Sequence, residues 1–327
     1  MTVRVGVIGV GVMGADHARK LNGCVAGAAV TAVADVNADA AARIAAQMRG
    51  ATVRENGFAL IDSDDVDAVV IASHDSTHAD LALAAVKAGK PVLCEKPLAP
   101  TASEASIVVE AERAARGSLI GLGFMRRFDP AYTELKAVVD SGELGPILVS
   151  HCVSRTVEAY PGGDSASTVT NAAIHELDVM PWLLGSPVTS VTWHCGRTSS
   201  RSGMRQDPQI MLLRTASDVL ITVEVFLNAG YGYDTRCEVV GEDGTAALTL
   251  PAHVVRDSQS TRGIGYPENW LSRYADAYRI ELQEWIDSIE KGRPSTLATA
   301  EDGLQAALVA DAVIESMNNG GAPVAVS

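Results

Sequence analysis

Within one short span of this chain, three side chains have the types and spacing that proton transfer needs. Asn171, His175 and Asp178 stand four and three residues apart, so on a helix they share one face. An imidazole there can exchange a proton near neutral pH; the plainer alternative is a polar stripe. Asp178 either enters a substrate cleft or caps local backbone. Lys96, in Glu95-Lys96-Pro97, closes a predicted strand. Ligands of open α/β sheets sit outside such ends, but most lysines are solvated surface groups, and position alone leaves both readings open.

A third group of residues has the spacing of a dinucleotide site. Gly9, Gly11 and Gly14 form G-x-G-x-x-G between a predicted strand and a predicted helix. The first glycine permits the tight turn, the second lets backbone approach a pyrophosphate, and the third lets helix and strand pack closely. Val12 and Met13 lie at the helix N-terminus, where amides and the dipole attract phosphate. Asp35 ends the next strand, 21 residues beyond Gly14, against about 20 for a ribose-binding acid. Its carboxylate can accept from both ribose hydroxyls and would repel a 2′-phosphate. Val36 and Asn37 offer no cation to reverse that, so NAD is expected over NADP. The rival reading is an empty glycine turn with Asp35 capping the next helix.

The elements that must position these groups are legible as patterns. Short apolar runs, "VRVGVIG", "AVTAVAD", "VDAVVIAS", "PVLCEKP" and "SLIGLGF", alternate with helical stretches at about 13–21, 38–48, 78–88 and 102–116. That alternation predicts a parallel sheet covered on both faces. After Phe124 come a helix ending near Gly142, a helix around His175, and runs such as "QIMLLRT", "VLITVEVFLN", "RCEVVGE" and "TAALTL" separated by turn signals. These favour an open, mainly antiparallel sheet, with two final helices near 270–291 and 298–318. The expected fold is α/β: a Rossmann domain over 1–124 and a substrate-binding and oligomerisation domain over 125–327. Residues 199–207 and 257–265 read as polar, mobile loops.

The 327 residues carry a net charge of −14, which repels nucleic acid and anionic lipid surfaces. Five scattered cysteines (24, 94, 152, 195 and 237) form no C-x-x-C, against a disulfide framework or zinc site and in favour of a reducing cytoplasm. Cys94 reads as buried rather than reactive. No apolar run is long enough to span a bilayer, and the start of the chain lacks signal-peptide features. His74 and His78 stand four apart without an evident third ligand, so no metal is expected. His175-Glu176 is not H-E-x-x-H, since residue 179 is valine.

Taken together, the glycine fingerprint, Glu95-Lys96-Pro97, "FMRRFDPAY" and "IHELDVMPWLLG" resemble the glucose–fructose oxidoreductase/inositol dehydrogenase family across nearly the full length. The likeness is greatest to its inositol 2-dehydrogenase branch, through "ADVNADAA", "IHELDV" and "YGYDTRCEVVGEDG". The resemblance implies NAD-dependent oxidation of a secondary hydroxyl of a cyclic polyol or sugar. It assigns Lys96 and His175 to catalysis, with Asn171 giving an orienting or substrate hydrogen bond. Substrate contacts fall to Arg126 or Arg127, Ser154 and Tyr233, and the cofactor is bordered by Ser73, His74, His78, Glu95 and Lys96. It also implies a homo-oligomer, dimer or tetramer. Two positions depart from the branch: Asn171 stands where aspartate is typical, and Ser154 where histidine is frequent, which puts myo-inositol itself in question. Divergence to another substrate, an inactivating substitution, or binding without turnover would each account for Asn171. The rival functions are an NAD(P)-dependent keto-sugar reductase and a non-catalytic dinucleotide-binding sensor.

Overall fold

The computed structural model describes residues 2–115, 117–249 and 254–327. Two units emerge, Met1–Phe128 with Asp276–Ala307, and Asp129–Ala275 with Leu308–Ser327. The first contains β1 (Val3–Ile8), α1 (Val12–Gly23), β2 (Ala28–Ala34), α2 (Ala38–Ala45), β3 (Thr52–Val53), α3 (Gly57–Ile61), β4 (Ala68–Ile71), α4 (His78–Lys87), β5 (Val92–Glu95), α5 (Ala102–Ala115) and β6 (Ile120–Gly123). The second contains α6 (Pro130–Ser141), β7 (Ile147–Arg155), α7 (Ser165–Thr168), α8 (Ile174–Leu184), β8 (Val188–His194), β9 (Gln209–Thr215), β10 (Leu220–Phe226), β11 (Asp234–Gly241) and β12 (Thr245–Ala247). The hairpin β13 (Val255–Ser258) and β14 (Thr261–Ile264), then α9 (Trp270–Arg273), follow. The chain ends with α10 (Ala275–Lys291), β15 (Ala298–Thr299), α11 (Ala300–Asn318) and β16 (Val324–Ala325).

The first sheet has the order β15-β6-β5-β4-β1-β2-β3. β1 to β6 are parallel, and β15 is antiparallel at one edge. The order reverses between β1 and β4, and such a switch point opens a crevice at the carboxyl ends of the strands. Every residue of β4 and β5 is buried, as a sheet covered on both faces requires. Leu282, Trp285 and Ile286 of α10 pack into the same core as Val5, Val7, Leu21 and Leu93. This unit is therefore not contiguous in sequence; the division at 124/125 does not contain that return.

The second sheet has the order β12-β11-β7-β10-β9-β8-β16. Its pairs are antiparallel except β7 with β10. The parallel pair arises because the chain leaves β7 through a helical segment and two further strands before returning as β10. Burial alternates along β9 and β10, so one face is covered and the other is open. Cys152 of β7 lies on the covered face, its Sγ 3.2 Å from Sδ of Met180 in α8.

Several local expectations change. β3 and α3 were not legible as elements. The expected helix over 270–291 is two helices separated at Tyr274, which turns its buried ring edge-on to Tyr233, centroids 6.1 Å apart. The expected loop at 257–265 contains most of the β13–β14 hairpin. The loop at 199–207 is pinned by buried Ser202, Arg205 and Asp207. The expected helix end at residue 116 and the end of "TAALTL" at residue 250 lie outside the described residues. Among the described residues, no helix is long and apolar enough to cross a membrane.

Candidate active site

The glycine fingerprint folds as a cradle at the switch point. Gly9 has φ +81°, a left-handed conformation that disfavours side chains, and a Cβ there would press into the backbone of Ala72 and Ser73 after β4. A Cβ on Gly14 would overlap the carbonyl oxygen of Gly9, so only glycine lets α1 start this close to β1. A Cβ on Gly11 would meet nothing within 4 Å, which leaves the turn open where a pyrophosphate must approach. α1 has no acidic residue in its first turn, so its positive end is uncompensated there. Val12 is exposed beside it.

Asp35 sits at the end of β2 and accepts the amide hydrogens of Val10 and Asn37, each at 2.7 Å. A carboxylate has about four acceptor sites, so two amide bonds leave capacity for ribose hydroxyls. The cap of α2 is Asn37, whose side chain accepts from Ala40 N, which removes the rival role for Asp35. Val36 is fully exposed next to it. These residues fit a dinucleotide: an open turn, a helix N-terminus and an acid at the ribose position.

Lys96 follows β5 directly. Its backbone N–H donates to Oε2 of Glu95 at 3.3 Å. Desolvation pulls its ammonium below the usual lysine range; Glu95 and Asp75 oppose that, and Arg126 adds to it. Burial alone would raise the Glu95 carboxyl, but the His17 hydrogen bond and the charges of His17, Lys96 and His78 bring it below its usual range. The Cys94 thiol is buried and its pKa is pushed far up by desolvation and by Glu95, so it is inert. His78 is buried, with Nδ1 2.7 Å from Pro97 O and Nε2 3.0 Å from Ser73 O. It ties the loop after β4 to the loop after β5. His74 is largely exposed and pairs with Asp75 at 2.7 Å. No group of three metal-ligating side chains occurs among the described residues.

The two arginines that the sequence left as alternatives separate. Arg126 is 1% exposed and close enough to Lys96 to influence its charge. Arg127 pairs with Asp302 of α11 at 3.3 Å.

In the second unit, Asn171 and His175 lie on one helical run from 165 to 184. It opens on a reciprocal cap, with Ser167 N donating to Asp164 Oδ1 at 2.8 Å and Asp164 N donating to Ser167 Oγ at 2.7 Å. It passes through a π turn, Val169–Ala173, before α8. A π turn holds one more residue than an α turn, and such turns recur at functional sites. Asn171 lies inside it, and His175 in the first turn of α8; both are half-buried. Asp178 is buried in the middle of α8, away from the helix ends. Ser154 is buried on the helix-covered face of β7, two residues from Cys152. Tyr233 is buried immediately before β11, its N–H donating to Pro267 O at 2.9 Å.

Two groups with no assigned role emerge. Asp234 accepts from Tyr231 Oη at 2.6 Å and from Arg236 at 2.8 and 3.0 Å, fixing the start of β11 beside Tyr233. His17 is wholly buried on α1 against Glu95. Its place on the Gly14-His17-Ala18-Leu21 stripe was a usable signal, because a histidine on an apolar helix face needs a buried partner.

Residues 3–128 match the oxidoreductase family with an NAD-binding Rossmann fold, and residues 136–326 match that family's C-terminal α/β domain. The chain is 52% identical to "Inositol 2-dehydrogenase 2" of Paenarthrobacter aurescens (strain TC1), covering 100% of this chain and 99% of the relative. It is 45% identical to "Inositol 2-dehydrogenase 1" of Saccharopolyspora erythraea, covering 98% and 95%. Its fold superposes on myo-inositol dehydrogenase from Lactobacillus casei, solved with NAD(H) and myo-inositol, with a TM-score of 0.96 at 33% identity, covering 100% and 97%. Both domain models match and together span most of the chain, so this chain belongs to the glucose–fructose oxidoreductase/inositol dehydrogenase family of NAD-binding oxidoreductases.

Proposed function

We propose that the protein oxidises a ring hydroxyl of an inositol-like cyclic polyol or a sugar to the ketone, with NAD as hydride acceptor. The observation that carries this reading is Lys96, desolvated at the carboxyl end of β5 in the same parallel sheet whose β1 leads into the fingerprint, in a chain alike over its whole length to proteins named inositol 2-dehydrogenase. His175 takes the hydroxyl proton. Lys96 donates from Nζ to the same oxygen and offsets the negative charge that builds there as the proton leaves, until hydride departure from the carbon turns it into the ketone oxygen. Asn171 holds a substrate hydroxyl or orients the imidazole, without the charge an aspartate would add. Arg126, Ser154 and Tyr233 contact the polyol. Bound on the fingerprint, NAD supplies the hydride acceptor.

NADH formation should be followed with a panel of inositols, aldoses and amino-cyclitols. At least one should turn over, and Lys96→Ala should lower kcat by about 10²- to 10⁴-fold. Turnover unaffected by Lys96→Ala defeats the assignment of roles, and no turnover with any polyol favours a sensor. A gain of orders of magnitude on one substrate in Asn171→Asp would identify Asn171 as an inactivating substitution.

We further place the protein in the cytoplasm as a homotetramer. The open face of the second sheet carries Val149, Val153, Leu220 and Phe226, half-buried in one copy, and exposed Ile210. A second copy covering it would remove that apolar area from water. Light scattering on the eluting protein should give about four times the 34.2 kDa of one chain; a monomer or a dimer refutes the tetramer.

A further inference from the structure

His17 and Glu95 form a buried pair that the proposed reaction does not use. His17 is 0% exposed and Glu95 7%, with Nε2 and Oε1 2.7 Å apart. A buried pair of this kind is weak as a source of stability, since an apolar pair of similar volume serves as well or better. Its surroundings are specific. Nδ1 of His17 is buried with no hydrogen-bond partner among the described residues, so the bonding capacity of the ring is directed at Glu95 through Nε2–H. The imidazole meets Tyr278 of α10 edge-on, centroids 5.7 Å apart, and the Lys20 ammonium lies over the far ring. On the other side, a Cβ on Gly123 would come within 3.2 Å of the Glu95 carboxylate, so the end of β6 leaves room for that group. The second oxygen, Oε2, accepts the backbone N–H of Lys96. α1, whose N-terminus forms the dinucleotide cradle, is thus joined to the lysine through two side chains.

We propose that His17 and Glu95 are positioning residues for Lys96: His17 fixes the Glu95 carboxylate, which grips the Lys96 backbone and sets a permanent negative charge beside its ammonium. This rests on the reading of Lys96 as the group that bears charge on the substrate oxygen. The charged neighbours of Lys96 include Glu95, Asp75 and Arg126, and those of Glu95 include His17, Lys96 and His78. Burial and Arg126 favour neutral lysine; Glu95 and Asp75 hold the ammonium. Without the donor from His17, the buried Glu95 turns toward its neutral form, and Lys96 loses a negative charge that acts on it more strongly than Asp75 does. Its pKa then falls, and activity that needs the ammonium is lost at a lower pH.

The test compares the full-length protein with His17→Leu, Glu95→Gln and His17→Gln, the last retaining an amide donor. Two quantities are measured: the alkaline limb of the kcat–pH profile, and the pH midpoint of Lys96 acetylation by acetic anhydride read by peptide mass spectrometry. In His17→Leu and Glu95→Gln both should move down by about one pH unit, whereas His17→Gln should recover most of that shift. An unchanged labelling midpoint in both His17→Leu and Glu95→Gln overturns the proposal. A midpoint that moves while the kcat limb stays put upholds the positioning role and refutes instead the catalytic reading of Lys96. Should His17→Leu fail to fold, Glu95→Gln, nearly isosteric, decides alone.

Discussion

Asp35 has two oxygens and two tasks. It secures the fingerprint loop through Val10 N and its own turn through Asn37 N, and we propose that its negative charge faces the adenosine ribose of bound NAD. Asp35→Asn keeps one acceptor and removes the charge. A hydrogen bond to a charged group is worth about 1.5–3 kcal/mol, so NAD affinity should fall roughly 10- to 100-fold. NADP, no longer repelled, should lose much less, and the ratio of kcat/KM for the two cofactors is the measurement. An unchanged ratio removes Asp35 from recognition. This acid and the three glycines were legible in the sequence because their spacing encodes backbone geometry. Arg126 and Arg127 were not separable, because neighbours in one short turn differ only in direction. Their distinction comes from a partner, Asp302, far along the chain.

At the scale of elements, the strands and most helices followed from periodicity, and the failures have specific causes. α3 and β3 are too short for a period to show. The helix over 270–291 divides because Tyr274 finds Tyr233 and the Thr235 hydroxyl, 3.1 Å from its own, a preference no local pattern carries. Nothing in Val169–Ala173 announces a π turn, so the site helix was expected to be uniformly α. The loop at 199–207 misled most, since a charged residue in a polar loop reads as solvated. Asp207 is 0% exposed and accepts from Leu227 N at 2.8 Å and Asn228 Nδ2 at 2.7 Å. It ties that loop to the end of β10. Asp207→Ala would strand two buried donors, at about 1–3 kcal/mol for such a group. Urea unfolding should show a loss of about 3 kcal/mol; a loss below about 0.5 kcal/mol, the usual range for surface substitutions, means the loop is not anchored there.

Across the molecule, the sequence reading divided the chain once, whereas the fold returns Asp276–Ala307 to the N-terminal unit. Strand alternation could not reveal this, because an amphipathic helix near the C-terminus shows that it has an apolar face but not which core receives it. The consequence is physical. Trp285, 2% exposed, and Leu282 and Ile286, both 0%, fill the core beneath β1 and α1. Removing one large buried side chain of this kind costs about 3–5 kcal/mol, against a total stability of about 5–15 kcal/mol for a domain. A fragment ending at residue 128 loses all three, and should lack a cooperative thermal transition and bind a hydrophobic dye despite containing every residue of the fingerprint. In the full-length protein, Trp285→Ala should lower the melting temperature of the NAD-binding unit, while NAD added in excess restores part of the loss by binding only the folded state. A fragment that melts cooperatively and binds NAD as the whole chain does would show that the returning helix is dispensable.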